Sequence, residues 1–142
     1  MNFVTRMRRS FARTGFAAAL AIFALAACGE NSSSSPVSTT YAFSTTTPEV
    51  AMDGNAVVDV RLVHKATGKP VTDAVIFETR FDMEPDGMSG MSAQATSMGS
   101  PMPGVYRFAL KPTMAGRWAL KLSAKVQGEV ETVRGIVVVT AR

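Results

Sequence analysis

The chain has 142 residues, enough for one domain with a proper core and too few for two. Its formal net charge of +4 sits beside one cysteine and one histidine. A disulfide framework and the usual Cys/His zinc site are therefore excluded.

The opening residues have the order of a secretory signal. Arg6, Arg8, Arg9 and Arg13 precede an uncharged, alanine-rich stretch from Gly15 to Ala27 that ends in small residues. Those 13 apolar positions fall short of the roughly 20 that a membrane-spanning helix needs. Arg8-Arg9-Ser10-Phe11-Ala12-Arg13 is also similar to the twin-arginine export motif. Leu25-Ala26-Ala27-Cys28 resembles the lipobox of bacterial lipoproteins. That resemblance implies a signal peptide over 1–27 and diacylglycerol on Cys28, which becomes the first residue of the mature chain. Removing the four signal arginines from fifteen basic residues leaves eleven, equal to the eleven acidic ones. A neutral mature chain offers no electrostatic case for nucleic-acid binding.

Residues 28–40, the lipidated cysteine and a Ser-rich run, read as a flexible tether. Residues 41–142 carry short alternating runs broken by turn residues, the pattern of an all-β fold. The first run is Tyr41 to Ser44, followed by a loop with Pro48 and an Asp53-Gly54-Asn55 turn. Ala56 to Lys65 places Val58, Val60 and Leu62 on one face. Thr67-Gly68-Lys69-Pro70 forms a corner into Val71 to Met83, where parity puts Val75, Phe77, Phe81 and Met83 together and Glu78, Arg80 and Asp82 opposite. Beyond a Gly-, Ser- and Met-rich loop, with a weak strand near Ala93 to Met98, Val105 to Lys111 turns Tyr106, Phe108 and Leu110 inward. Trp118, Leu120, Leu122 and Val126 repeat that arrangement. The last strand, about Val130 to Val139, ends in an apolar run that suits a strand covered on both sides. About seven strands in some 100 residues predict an immunoglobulin-like β-sandwich.

Catalytic constellations are thin. His64 ends a strand without a cysteine partner, and no nucleophile elbow occurs, so the chain reads as a non-enzyme. Methionine is the distinctive residue: Met83, Met88, Met91, Met98, Met102 and Met114 fall within 32 positions. Thioether sulfur is a soft donor that selects Cu(I), and it loses no proton on binding. Met83 shares the parity of Phe81, so it also fits as core filler, and Met114 could cap the sandwich. Asp82, Glu84 and Asp86 add negative charge that would attract a cation.

Phe81-Asp82-Met83, the Met88/Met91 pair, Pro103-Gly104-Val105-Tyr106-Arg107-Phe108 and Met114-Ala115-Gly116-Arg117-Trp118 together resemble the YtkA-like (FixH-like) domain, over roughly residues 40–139. The resemblance implies an immunoglobulin-type sandwich, exported or membrane-tethered, associated with copper or heavy-metal handling. Met83, Met88, Met91 and Met114 carry over as copper-binding positions, and Met98 and Met102 are extra to the pattern. It implies a Cu(I) buffer or metallochaperone, anchored by lipid in the cell envelope facing the periplasm, with a copper-receiving or metal-efflux protein as partner. The alternative is a non-metal interaction module on the same sandwich. Gly29 after the cysteine lacks an aspartate-type retention signal, which favours the outer membrane.

Overall fold

The computed structural model describes residues 37–142; the signal peptide, Cys28 and most of the tether lie outside the described residues. The described chain is all-β, with eight strands, one short 3₁₀ turn and no α-helix. The strands are β1 (Tyr41–Thr45), β2 (Glu49–Val50), β3 (Ala56–His64), β4 (Val75–Met83), β5 (Met88–Ser97), β6 (Val105–Lys111), β7 (Gly116–Lys125) and β8 (Val133–Ala141).

One hydrogen-bonded ladder, in the order β1-β3-β6-β5-β4-β7-β8-β2, curls into two leaves that share β5. The long β5 makes this possible: its start pairs with β4, and its end, from Gln94 to Ser97, pairs with β6. All pairings are antiparallel except β2 with β8. Between the leaves lie Val58, Val60, Leu62, Phe108 and Leu110 from one side and Phe81, Trp118, Leu120, Leu122 and Val139 from the other. Burial of this alternating set supplies the main folding force.

Strand direction sorts every turn to one of two ends. The chain enters at Tyr41, whose hydroxyl donates to Glu129 Oε1 at 2.7 Å and whose ring meets the His64 ring edge-on at 5.2 Å. The β3–β4, β5–β6 and β7–β8 connections therefore share this entry end. The opposite, far end holds the β2–β3, β4–β5 and β6–β7 connections. At the entry end, Gly104 has φ of +74°, and a Cβ there would stand 2.4 Å from Pro70 Cβ. Two residues on, the Tyr106 hydroxyl donates to Val71 O at 3.0 Å and accepts from Ala74 N at 3.2 Å, pinning the β3–β4 connection. The Pro-Gly-x-Tyr motif thus locks this corner.

Four expectations are corrected. The alternation of β4 is broken by a bulge between Ile76 and Glu78. The extra residue resets the phase: Ile76 packs against the core, Phe81 and Met83 stay buried, and Val75 and Phe77 stand exposed, Phe77 by 59%. The apolar end of β8 is covered on one side only; Val137 and Val139 are buried, Ile136 and Val138 exposed. The Met-rich stretch is mostly the ten-residue β5 rather than a loop. The Pro48 loop contains β2, which borders β8 because Glu49 and Val50 run parallel to Thr140 and Ala141. The end of the tether is also docked: Ser38 N donates to Arg134 O at 2.9 Å, and Lys65 Nζ to Ser38 O at 3.0 Å.

The bulge predicts a contrast that parity alone would deny. Phe81→Ala should cost about 3–5 kcal/mol through the cavity it opens, whereas Phe77→Ala should change stability by less than about 1 kcal/mol, as surface substitutions do. Urea unfolding of the two variants measures this, and equal losses would place Phe77 in the core.

Candidate functional site

The far end of the second leaf is built around a contact between the β4–β5 turn and the start of β7. β4 finishes at Met83 and passes into the 3₁₀ turn Glu84–Asp86, with Pro85 in its first turn. Asp86 reaches across to β7, accepting from Arg117 N and from Arg117 Nε, each at 2.7 Å, while Arg117 donates to Pro85 O at 2.7 Å. The Arg117 N–H and then its guanidinium hold the Asp86 carboxyl below the usual carboxylate range.

Glycine at 116 favours this closure. Its φ is +142°, and a Cβ there would lie 2.6 Å from Met83 Cε and 2.8 Å from Asp86 Oδ2. Behind it, Trp118 is fully buried, stacks on Phe81 with centroids 4.8 Å apart, and donates from Nε1 to Met114 O at 3.1 Å. The Met-x-Gly-x-Trp turn is thus one unit: the indole holds the Met114 backbone, and the glycine admits Met83 and Asp86.

The acidic residues do not form a free anionic rim. Asp82 is fully buried on the outer side of β4, where it accepts from Arg80 Nε at 2.7 Å, Lys121 Nζ at 2.9 Å and Glu84 N at 3.2 Å. Burial pushes its carboxyl up, but the Lys121 ammonium, the Arg80 guanidinium and the Glu84 N–H together hold it below the usual range. Lys121 also pairs with Glu84. Burial works against the Lys121 ammonium, while its bonds to Glu84 and Asp82 raise its pKa above the ordinary lysine value. Each acid expected to draw a cation is engaged by the protein's own lysine or arginine.

The methionines divide between the two ends. Met83 is fully buried. Met88 is its cross-strand partner on β5. Between that pair and the Asp82–Ser92 pair, β5 carries three extra residues, Ser89, Gly90 and Met91, that bulge from the ladder, and Arg80 donates to Ser89 O at 3.2 Å. Met88, Met91 and Met114 are exposed by 37, 42 and 38%. Met98 and Met102 lie beyond the other end of β5, where Met98 N donates to Arg107 O and Met102 bridges to Val105. Met88 is one ladder position from Ser92, and Met98 is six residues further on, so at about 3.3 Å per position the two groups stand roughly 20 Å apart. One ion cannot bridge the two groups. Met52, half-exposed in the β2–β3 connection, stands at the far end as well. Its only sequence signal is its type, because it lies 31 residues before Met83.

Among the described residues, no three His, Cys, Asp or Glu side chains converge in a way that could hold a metal ion. His64 is at the entry end, with Thr67 Oγ1 3.4 Å from Nδ1. A cleft of about 290 Å³ lined by Tyr41, His64, Lys69 and Asp73, and another of about 370 Å³ lined by Val37, Glu129, Glu131 and Arg134, also lie there. Neither touches a methionine.

A family model described as YtkA-like matches residues 36–123, from the end of the tether through most of β7. No curated protein matches the chain. Among solved structures, one described as "ZirS C-terminal Domain" aligns at a TM-score of 0.43 and 9% identity, covering 100% of this chain and 87% of that one.

The pairing of Asp82 with Lys121, Arg80 and the Glu84 N–H makes stability pH-dependent. Its pKa is lower folded than the unfolded value of about 3.9, so its contribution is complete above about pH 4 and is lost as the pH falls through the folded value. Asp82→Asn should cost about 2–3 kcal/mol at pH 7, less than a fully enclosed pair because Arg80 can turn to water. In urea unfolding at pH 7 and pH 3, the gap between wild type and variant should shrink at pH 3. A gap unchanged by pH would assign the loss to shape rather than charge.

Proposed function

The chain belongs to the YtkA-like family, and on that footing we propose that it is a lipid-anchored envelope protein that binds Cu(I) at the far end of its sandwich, as a buffer or metallochaperone. Met88, Met91 and Met114 supply the accessible thioethers, and Met83 closes the set from the interior side. The observation that carries this reading is that three half-exposed methionines lie at the same end of the sandwich as the Met83–Gly116 contact, where Asp82, Glu84 and Asp86 are already paired. With Asp82, Glu84 and Asp86 engaged, the surroundings of these methionines offer little to a hard divalent ion, whereas uncharged sulfur suits a soft monovalent one. Because the thioethers need no deprotonation, binding would persist in an acidic or oxidising compartment. Half-exposed ligands also suit a carrier, since an incoming donor from a copper-receiving or metal-efflux protein can displace them one at a time.

The anchor is Cys28, through the Leu25-Ala26-Ala27-Cys28 lipobox, with the domain facing the periplasm and the outer membrane favoured. A second reading, docking of another protein on the same end without metal, is favoured by Met52, which widens the exposed thioether surface beyond what one ion needs.

Anaerobic titration with Cu(I) against a chromophoric competitor separates the two. The wild-type chain should bind one equivalent, and a Met88→Leu, Met91→Leu, Met114→Leu variant should bind roughly tenfold or more weakly. Met98→Leu with Met102→Leu should compete like wild type. A triple variant as good as wild type would remove the copper site and leave the docking reading. Separately, Cys28→Ser should release the protein from the membrane fraction while leaving Cu(I) binding intact, and retention in membranes would refute lipidation.

A further inference from the structure

The entry end carries an apolar surface that the copper reading leaves unused. Val75 begins β4, Met98 and Met102 flank the β5–β6 turn, and Val130 stands in the β7–β8 turn; all are exposed, Val130 by 92%. Val75 and Val130 are close through Lys125, which is the cross-strand partner of Val75 and donates from Nζ to Val130 O. Val37, exposed where the described chain begins, joins them, because Ser38 is bonded to Arg134 and Lys65. Exposed apolar side chains gathered at one end mark a contact surface.

We propose that this end rests on the bilayer to which Cys28 is fixed, with Val75, Met98, Met102 and Val130 in the headgroup region, so that Met88, Met91 and Met114 face the aqueous compartment. The inference rests on the lipid-anchor reading above. Chain length favours the bilayer as occupant: eight residues separate Cys28 from Val37, and nine steps of at most about 3.6 Å reach only about 32 Å. The nine-residue β8 makes the sandwich itself about 30 Å long. The entry end is therefore always within reach of the lipid, and the far end is held off by the length of the domain when the entry end is down.

The contact is apolar rather than electrostatic. Lys65, Lys69, Lys125 and Arg134 are set against Asp73, Glu129 and Glu131 at this end, leaving a single positive charge among the seven. Lys125 lies alongside Val130 with its ammonium on that backbone, so its stem can lie in the interface while its head stays among polar headgroups. This placement also gives a role to Met98 and Met102, which stand too far from the other methionines to share their ion. A carrier held this way presents its cargo outward to a soluble or membrane-embedded receiver without first turning round.

The test uses the full lipidated chain in phosphatidylcholine vesicles that contain a nitroxide lipid labelled near the headgroup. Cys28 is the only cysteine, so lipidation leaves an introduced thiol as the sole site for a fluorescent label. A label at Gln127→Cys, on the entry end, should be quenched several-fold more than one at Thr113→Cys, on the far end. Replacing Val75, Met98, Met102 and Val130 together with Ser should bring the two values towards each other while the chain still floats with the vesicles. Equal quenching in the parent chain, or a ratio unchanged by the four substitutions, would overturn the orientation alone. Failure of the parent chain to float with vesicles would overturn the anchor reading and the orientation with it.

Discussion

The far end of this domain depends on one steric allowance. At residue 116 the absence of a side chain lets the Met83 methyl and the Asp86 carboxylate close on the start of β7. A Cβ would have to displace both side-chain tips, and the backbone φ of +142° is one that other residues rarely adopt. Three contacts accompany that closure. Asp86 can reach the Arg117 N–H, Trp118 can settle on Phe81 while its indole holds the Met114 carbonyl, and Met88 is brought opposite Met83. Met88, Met91 and Met114 lie at this same end of the sandwich, each half-exposed.

The two ends of the sandwich solve different problems with similar means. At the entry end Gly104 admits Pro70, and the Tyr106 hydroxyl satisfies both Val71 and Ala74, so the corner is closed by hydrogen bonds. At the far end the closure is by apolar contact and ion pairs. Asp82 shows the cost and benefit of the second strategy. A carboxylate taken wholly out of water is unfavourable alone, and is retained because Lys121, Arg80 and the Glu84 N–H surround it. The same pairs engage Asp82, Glu84 and Asp86 with the protein's own lysine and arginines.

Much of the fold was legible in residue order. Val58, Val60 and Leu62, then Tyr106, Phe108 and Leu110, then Trp118, Leu120 and Leu122 all face inward as their parity requires, because each lies in an uninterrupted strand. Phe77 was misplaced because parity holds only where no residue is inserted, and a bulge has no composition that marks it. Val138 was misplaced for another reason: a valine run reports β preference as much as burial. At the candidate site, the types and approximate positions of Met83, Met88, Met91 and Met114 were readable from the motif. Their division from Met98 and Met102 was not, since glycine and serine at 89–92 suggested a loop where β5 runs on through a bulge.

Sequence alone therefore determined what is local: an all-β chain, inward sets at period two, the YtkA-like motifs, and a run rich in methionine and poor in histidine and cysteine. Tertiary structure alone decided which methionines share an end, which carboxylates remain free and which valines meet water. Those outcomes depend on strand direction, a bulge and a curl that bring residues distant in the chain, such as Met83 and Gly116, into contact. No local pattern encodes a distance between elements; only the packed ladder sets it.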